Sequence, residues 1–334
     1  ACLISVLLSM QFILLFFDHF KHNREQIDYW QTTKMMSRML ERIDPGAVII
    51  AYHSWFGLNY LQQVEGKRPD VTILILSSFI VPDLFTDFEE SRFKNIVIPK
   101  VPLEEFASAF LTENVYNRPI YWEPVVDYNK FVNAYLVPDG LLFKISPVVY
   151  PLTSESVRTY LSQLSDDLAL SEMSDDLEES AFYAQLLSGH GAYFLEKEVY
   201  EIALGHFKMA AAMVPNHPQF LNLLGISYAY LEHYEQAEET FLRSISVNRE
   251  NDEPYLNLAK MFMNNAQQEK AMYYFNKAIE YAPNHRDALF SLGKINASLG
   301  NKQEALHFFH RILTINPKDE EAKKEADQLS TRIQ

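Results

Sequence analysis

The sequence predicts two architectures in one chain: a small, mostly parallel α/β sheet domain and, after it, an all-α helical solenoid, with the end of a transmembrane helix in front. Three observations lead there. Short runs rich in β-branched residues, Ala47–Tyr52 and Val71–Leu76, alternate with helical spacing over residues 25–150, the pattern of buried parallel strands joined by crossover helices. Small and aromatic residues recur at intervals of 34 over residues 184–317. Residues 2–17, CLISVLLSMQFILLFF, are nearly continuously apolar.

Composition sets the outer bounds. At roughly 100–200 residues per domain, 334 residues suggest two domains. With 48% apolar and 22% charged residues, the chain is neither mainly disordered nor fibrous. The 29 Lys and Arg against 44 Asp and Glu leave a net charge of −15. An acidic chain without a basic stripe is repelled by phosphate backbones, so no nucleic acid is expected as a partner. The single cysteine, Cys2, excludes an intrachain disulfide and a cysteine-based zinc site.

Residues 1–20 read as the tail of a transmembrane helix. The apolar run is slightly shorter than the ~20 residues a span needs, and it ends abruptly at Asp18, His19, Lys21, His22, Asn23, Arg24 and Glu25. It has no basic leader and no small-residue cleavage site, which argues against a signal peptide. The alternative is an apolar helix packed in a core. Lys21 and Arg24 would place the flank on the cytoplasmic side.

In the 25–150 domain, Ile27, Trp30, Met35, Met39 and Ile43 share one helical face, and Asp44-Pro45-Gly46 stops that helix. A strand over 47–52, a helix over 56–64 ended by Gly66, and a strand over 71–76 follow. Further helices are expected over 82–92 and 103–111, and further strands over 95–98 and 120–122. Pro138-Asp139-Gly140 predicts a hairpin turn within 135–145. Ligands of such sheets lie beyond the carboxyl ends of strands. The polar residues there are His53, Ser54 and Asn59, then Ser77 and Ser78, then Glu123 and Asp127. His53, Ser54, Asn59 and Glu123 are the candidate cleft, and His53 with Glu123 the candidate acid/base pair. The bland alternative is a capping or hydrogen-bonded pair. His53-Ser54-Trp55-Phe56-Gly57 has one glycine where a dinucleotide loop needs three, so no cofactor is expected.

Residues 151–183 read as an acidic linker with partial helix. Its acids, among them Asp166, Asp167, Asp175 and Asp176, lack the glycine and closing glutamate of a calcium loop, so no metal is expected.

The 34-residue period is the most specific signal. Ala203, Ala237, Ala271 and Ala305 form one series, and Phe207, Phe241, Phe275 and Phe309 another. Pro215, Pro283 and Pro317 form a third, with Arg249 at the missing step. This is the tetratricopeptide pattern, four helical hairpins over 184–317. Gly191, Gly225, Ala259 and Gly293 supply the small residue where the second helix crosses the first. The phenylalanines are expected to fill the space between repeats. His190 at a leucine position and Asn296 at an aromatic one depart from the pattern. Residues 318–334 suit a capping helix, with Ala322, Ala326 and Leu329 on one side. Such an array presents a concave groove to a protein or peptide. The first-helix residues expected there are Asn222, Ile226, Ala229, Leu256, Lys260, Met263, Phe290, Lys294 and Ala297. The lysine and asparagine positions of a carboxylate-clamping set do not coincide with these. An intramolecular docking surface is the equal alternative.

Asp44-Pro45-Gly46-Ala47-Val48-Ile49, the stretch Leu58–Val71 (LNYLQQVEGKRPDV), Arg118-Pro119-Ile120-Tyr121-Trp122 and Asp139-Gly140-Leu141-Leu142-Phe143 resemble the soluble C-terminal region of polytopic membrane glycosyltransferases of the C superfamily. That group is a large bacterial membrane family with an animal relative that is a protein O-mannosyltransferase. The resemblance spans about a third of the chain. It implies a parent that transfers a sugar from a polyprenyl-phosphate donor outside the cytoplasm, with this region periplasmic or lumenal, serving acceptor recognition or structural support. The family's catalytic acids lie in an early loop between spans and would precede Ala1, so no catalytic residue is expected here. Tyr52-His53-Ser54-Trp55-Phe56 stands where relatives carry an acidic stretch, so no role of those acids transfers. Two other readings stand beside this one: a single-span, membrane-anchored scaffold whose repeats recruit proteins, and an independent α/β enzyme using His53 and Glu123.

Overall fold

A computed structural model describes residues 29–51, 55–63, 65–75, 103–124, 136–147, 152–169 and 177–331. The apolar residues 1–20, the predicted elements over 82–92 and 95–98, and His53, Ser54, Ser77, Ser78 and Asp127 lie outside them. Among the described residues no helix is long and apolar enough to cross a membrane. The chain divides into two compact units, Ala1–Leu186 and Leu187–Gln334.

In the first unit, α1 (Tyr29–Arg42) leads into β1 (Val48–Ala51), α2 (Trp55–Gln63) and β2 (Thr72–Ile75). Then come α3 (Leu103–Asn114), β3 (Ile120–Trp122), β4 (Leu136–Asp139), β5 (Leu142–Ile145) and α4 (Ser154–Ala169). The strand order is β2-β1-β3-β5-β4. β1 runs parallel to β2 and β3, while β5 runs antiparallel to both β3 and β4. The sheet is therefore mixed, not mostly parallel. A tight hairpin can pair only with itself in antiparallel fashion, and β5 docks on β3 in the same sense. The turn sits one step later than expected. Asp139 pairs with Leu142, which leaves Gly140 and Leu141 as the loop, with Gly140 at φ 60°. Pro138 is tolerated inside β4 because that strand is the sheet edge. Every residue of β1 is buried, as a central parallel strand requires. Residues 154–169 form a packed helix, with Tyr160 and Leu164 buried.

A polar latch ties α1 to the sheet. Arg68 donates to the backbone carbonyls of Leu40, Ile43 (3.0 Å) and Asp44 (3.1 Å), covering the end of α1. It also pairs with Asp70 at 2.9 Å, and Asp70 accepts from the Gly46 amide at 2.9 Å. Gln62 donates to the Arg68 and Val71 carbonyls at 2.9 and 2.7 Å.

The second unit is a stack of helical hairpins. The helices are α5 (Leu177–Glu196), whose part from Leu187 belongs to this unit, and α6 (Tyr200–Met213), then α7 (Pro218–Tyr230) and α8 (Tyr234–Val247). They continue as α9 (Glu253–Asn264), α10 (Gln268–Tyr281), α11 (Arg286–Ser298) and α12 (Lys302–Ile315), closed by α13 (Glu320–Thr331). All four alanines and all four phenylalanines of the two series are fully buried. A Cβ built on Gly191, Gly225 or Gly293 would come within 2.7 Å of the ring of Phe207, Phe241 or Phe309. The phenylalanine thus fills the crossing of the two helices within one repeat, not the space between repeats as expected. Ala322, Ala326 and Leu329 of α13 close the apolar end around Phe309 and Ile312.

The irregular positions of the repeat have local compensations. Arg243 donates to the Pro215 carbonyl at 2.7 Å, and Arg311 to that of Pro283. Where Arg249 replaces the intervening proline, the equivalent of these arginines is Lys277, which pairs with Glu280 at 2.9 Å instead. Asn296 is buried and donates to the Leu292 carbonyl at 2.9 Å, which satisfies a polar group in an aromatic slot. In the first repeat the His206 ring lies 5.5 Å from Phe194 and 6.1 Å from His190. The Nδ1–H of His206 donates to the Ile202 carbonyl at 2.8 Å.

Candidate protein-interaction site

The first helices α7, α9 and α11 stand side by side because equivalent helices recur every 34 residues with the same packing residues turned inward. Their remaining faces carry the residues expected of a groove, and the structure separates these by burial and pairing.

Asn222 and Leu256 form the floor and are buried. Asn222 is a polar group in an otherwise apolar layer, held by its neighbours in the next repeat. It donates to Glu253 at 3.3 Å and accepts from Asn257 at 3.0 Å. Ile226 is half-buried and packs against the core around Phe241 and Phe262. Lys294 lies on the exposed part of α11 and pairs with Glu325 of α13 at 3.0 Å. Ala229 and Ala297 are half-buried against the apolar cores, and Lys260, Met263 and Phe290 come together at a cleft of about 290 Å³. Asn264, Arg286, Asp287 and Ser291 complete its lining. Met263 is 38% exposed.

Arg286 organises the cleft. Its guanidinium stacks 4.7 Å over the Phe290 ring. It is fixed from the other side by Asp319 at 3.0 Å and Glu321 at 2.5 Å. Hydrogen bonding to Arg286 pulls the Asp319 carboxyl below its ordinary range, and Asp319 in turn raises the guanidinium. Lys260 approaches Asp287 at 3.9 Å, and Arg286 approaches the same carboxylate at 3.6 Å. The arrangement offers an apolar patch bordered by fixed charges and contains no nucleophile with an activating base. Arg286 and Asp287 were not among the residues expected at the groove. The signal was available: Glu253 and Asp287 are 34 residues apart, in the same first-turn position.

The candidate cleft of the first unit is only partly described. Glu123 is buried just past β3, and its amide donates to the Ile50 carbonyl at 3.0 Å. Asn59 is half-buried on α2. His53 and Ser54 lie outside the described residues, so the pairing of His53 with Glu123 has no geometry here. Elsewhere in this unit Asp44 accepts from Lys144 at 2.5 Å and from Tyr121 at 3.2 Å. The bond to Lys144 lowers the Asp44 carboxyl, while burial raises that of Asp139 and the phenol of Tyr121. Among the described residues no group of three or more His, Cys, Asp or Glu is arranged to hold a metal.

Comparisons with known proteins agree with the repeat geometry. Residues 218–251 and 257–320 each match the tetratricopeptide repeat family. The chain is 27% identical over 146 residues to the BBSome complex member BBS4 of Bos taurus, covering 44% of this chain and 26% of that protein. It is 26% identical over 129 residues to the protein O-mannosyl-transferase TMTC3 of Homo sapiens, covering 38% of this chain and 14% of that protein. Among solved structures it is similar to YrrB, described as a TPR protein with an unusual peptide-binding site, at 22% identity and a TM-score of 0.40, over 51% of this chain and 83% of YrrB. The chain thus spans about a quarter or less of the length of the two curated relatives. Residues 218–320 carry tetratricopeptide repeats, in a helical solenoid preceded by a small mixed sheet.

Proposed function

We propose that this chain is a protein-interaction scaffold that takes an extended segment of a partner along the first helices α7, α9 and α11. The observation that carries this reading is the cleft between α9 and α11, where Met263 and Phe290 offer apolar surface between charges held rigidly by their neighbours. Such a site provides apolar area for affinity and fixed polar groups for register. The test is to pan the chain against a random peptide library and titrate the recovered peptides by fluorescence polarization. Met263→Ser and Phe290→Ala should weaken binding at least tenfold, while Leu242→Ser on the exposed part of α8 should leave it unchanged. Equal affinity in all three variants would refute the site.

A second reading concerns the whole protein. The resemblance over residues 44–145 and the similarity to TMTC3 favour a non-catalytic, extracytoplasmic region of a membrane glycosyltransferase that uses a polyprenyl-phosphate sugar. In that setting the repeats would present or recognise the acceptor, and the apolar residues 1–20 would continue a membrane span. The rival is a single-span scaffold. The coding sequence upstream of Ala1 separates them: many apolar spans with an acidic first loop support the transferase parent, and a lone span refutes it. The latch residues Asp44, Arg68 and Asp70, which carry much of the resemblance, hold helix α1 to the sheet. Their part in either protein is structural.

A further inference from the structure

The cleft's charges narrow the class of segment it accepts. The cations of α7, α9 and α11 are Lys260, Arg286 and Lys294; Arg286 and Lys294 each hold a carboxylate of their own chain directly, while Lys260 stands 3.9 Å from Asp287. Arg286 is bound twice, by Asp319 and Glu321, and its remaining face lies on Phe290. Lys294 is bound by Glu325, whose side chain is only 20% exposed. At Arg286 or Lys294 an incoming carboxylate would have to displace one of these acids and would leave it unpaired beside the newcomer. Like-charge contact of that kind is a rejection device.

Carboxylates outnumber cations around the cleft, with Asp287, Asp319 and Glu321 against Lys260 and Arg286. Asp287 lines the cleft with its side chain 53% exposed, and its two cations stand at 3.9 and 3.6 Å, beyond direct hydrogen-bond reach. Glu321 touches Arg286 but is 59% exposed. Lys323 and Lys324 of α13 lie outside the cleft lining. A ligand lysine or arginine could therefore approach Asp287 more closely than its present partners do.

We propose that the cleft between Met263 and Phe290 seats a large apolar side chain flanked by lysine or arginine, and that it discriminates against segments carrying carboxylates. This deepens the interaction reading above and rests on it.

The test uses peptides selected on the full chain from a random library, sorted by whether Met263→Ser and Phe290→Ala weaken them. Met263→Ser guards against a folding defect in Phe290→Ala, because Met263 is already exposed. Peptides that depend on these residues should be enriched in an apolar residue next to Lys or Arg. Exchanging that Lys or Arg for Glu should raise the Kd at least tenfold. Asp287→Asn, close in shape, should weaken the basic peptides several-fold and flatten their salt dependence. Cleft-dependent peptides that are acidic, or that gain affinity on the exchange to Glu, would overturn this inference and leave the interaction site standing. Selected peptides that all ignore Met263 and Phe290 would overturn both.

Discussion

Replacing Gly225 by alanine tests the internal logic of the repeats. The change adds one Cβ to the middle of α7, where it would lie 2.7 Å from two ring carbons of Phe241 and 3.0 Å from a third. Ordinary carbon contacts are about 3.5–4.0 Å, so the crossing must open by nearly 1 Å. Phe241 is fully buried and cannot swing aside. Overpacking of this kind costs about 1–3 kcal/mol, whereas alanine gains about 1 kcal/mol over glycine in a helix interior. The net expectation is a loss of about 1 kcal/mol. In a Phe241→Leu background the ring is gone, so only the helix gain remains and Gly225→Ala should stabilise by about 0.5–1 kcal/mol. The sign should therefore reverse, with a coupling of about 2 kcal/mol. Because the chain has two units, the readout should be local: hydrogen exchange of α7 and α8 amides, which such a coupling changes about thirty-fold. The third repeat supplies the mirror experiment, since Ala259 holds the glycine position there and shares a buried cluster with Phe275. Ala259→Gly should be destabilising by about 1 kcal/mol from propensity alone. If Gly225→Ala is neutral or stabilising with Phe241 intact, the crossing is not set by this contact.

Three further outcomes are expected. Burial lowers the His206 pKa from 6.5 to about 4, so the unfolded state binds the extra proton between those values and stability falls as pH drops from about 6.5 toward 4. The full span is about 3 kcal/mol, and His206→Phe, the residue type at the equivalent Phe308, should remove that slope from urea midpoints measured against pH; an unchanged slope would show that His206 does not titrate this way. Ala266 ends a first helix at φ 55°, where the fourth repeat has Gly300 at φ 81°. Ala266→Gly should stabilise by about 0.5–1 kcal/mol through relief of the left-handed conformation, and a lower urea midpoint would contradict this. Arg68→Met removes the charged donor that covers three carbonyls at the end of α1, and should cost the first unit about 2 kcal/mol; protection of the α1 amides from exchange reads the loss, and unaltered protection would refute the latch.

Much of the solenoid was legible in the sequence because its packing repeats. Gly191, Gly225 and Gly293 keep a 34-residue step since each meets a phenylalanine at the same crossing. The role of those phenylalanines, inside a repeat and not between repeats, was illegible because period alone does not say which neighbour fills a space. The sheet was half legible. Buried β-branched runs identify β1 and β2, but pairing sense depends on how the β4–β5 hairpin docks on β3, a long-range choice absent from local pattern. Of the residues expected at the groove, Asn222 is buried, and Arg286, which was not among them, lies over Phe290 in the cleft. Burial and ion pairing between repeats depend on residues some 30 positions away. His53 and Ser54 lie outside the described residues, so their part of the candidate site rests on sequence alone.

The most direct test of the interaction site is photocrosslinking of a selected peptide to chains carrying a photoreactive phenylalanine at Asn264, in the cleft lining, or at Leu242, on the exposed part of α8. The peptide should be captured through position 264 and not through position 242. Capture through position 242 with none through 264 would contradict a partner site on the first helices.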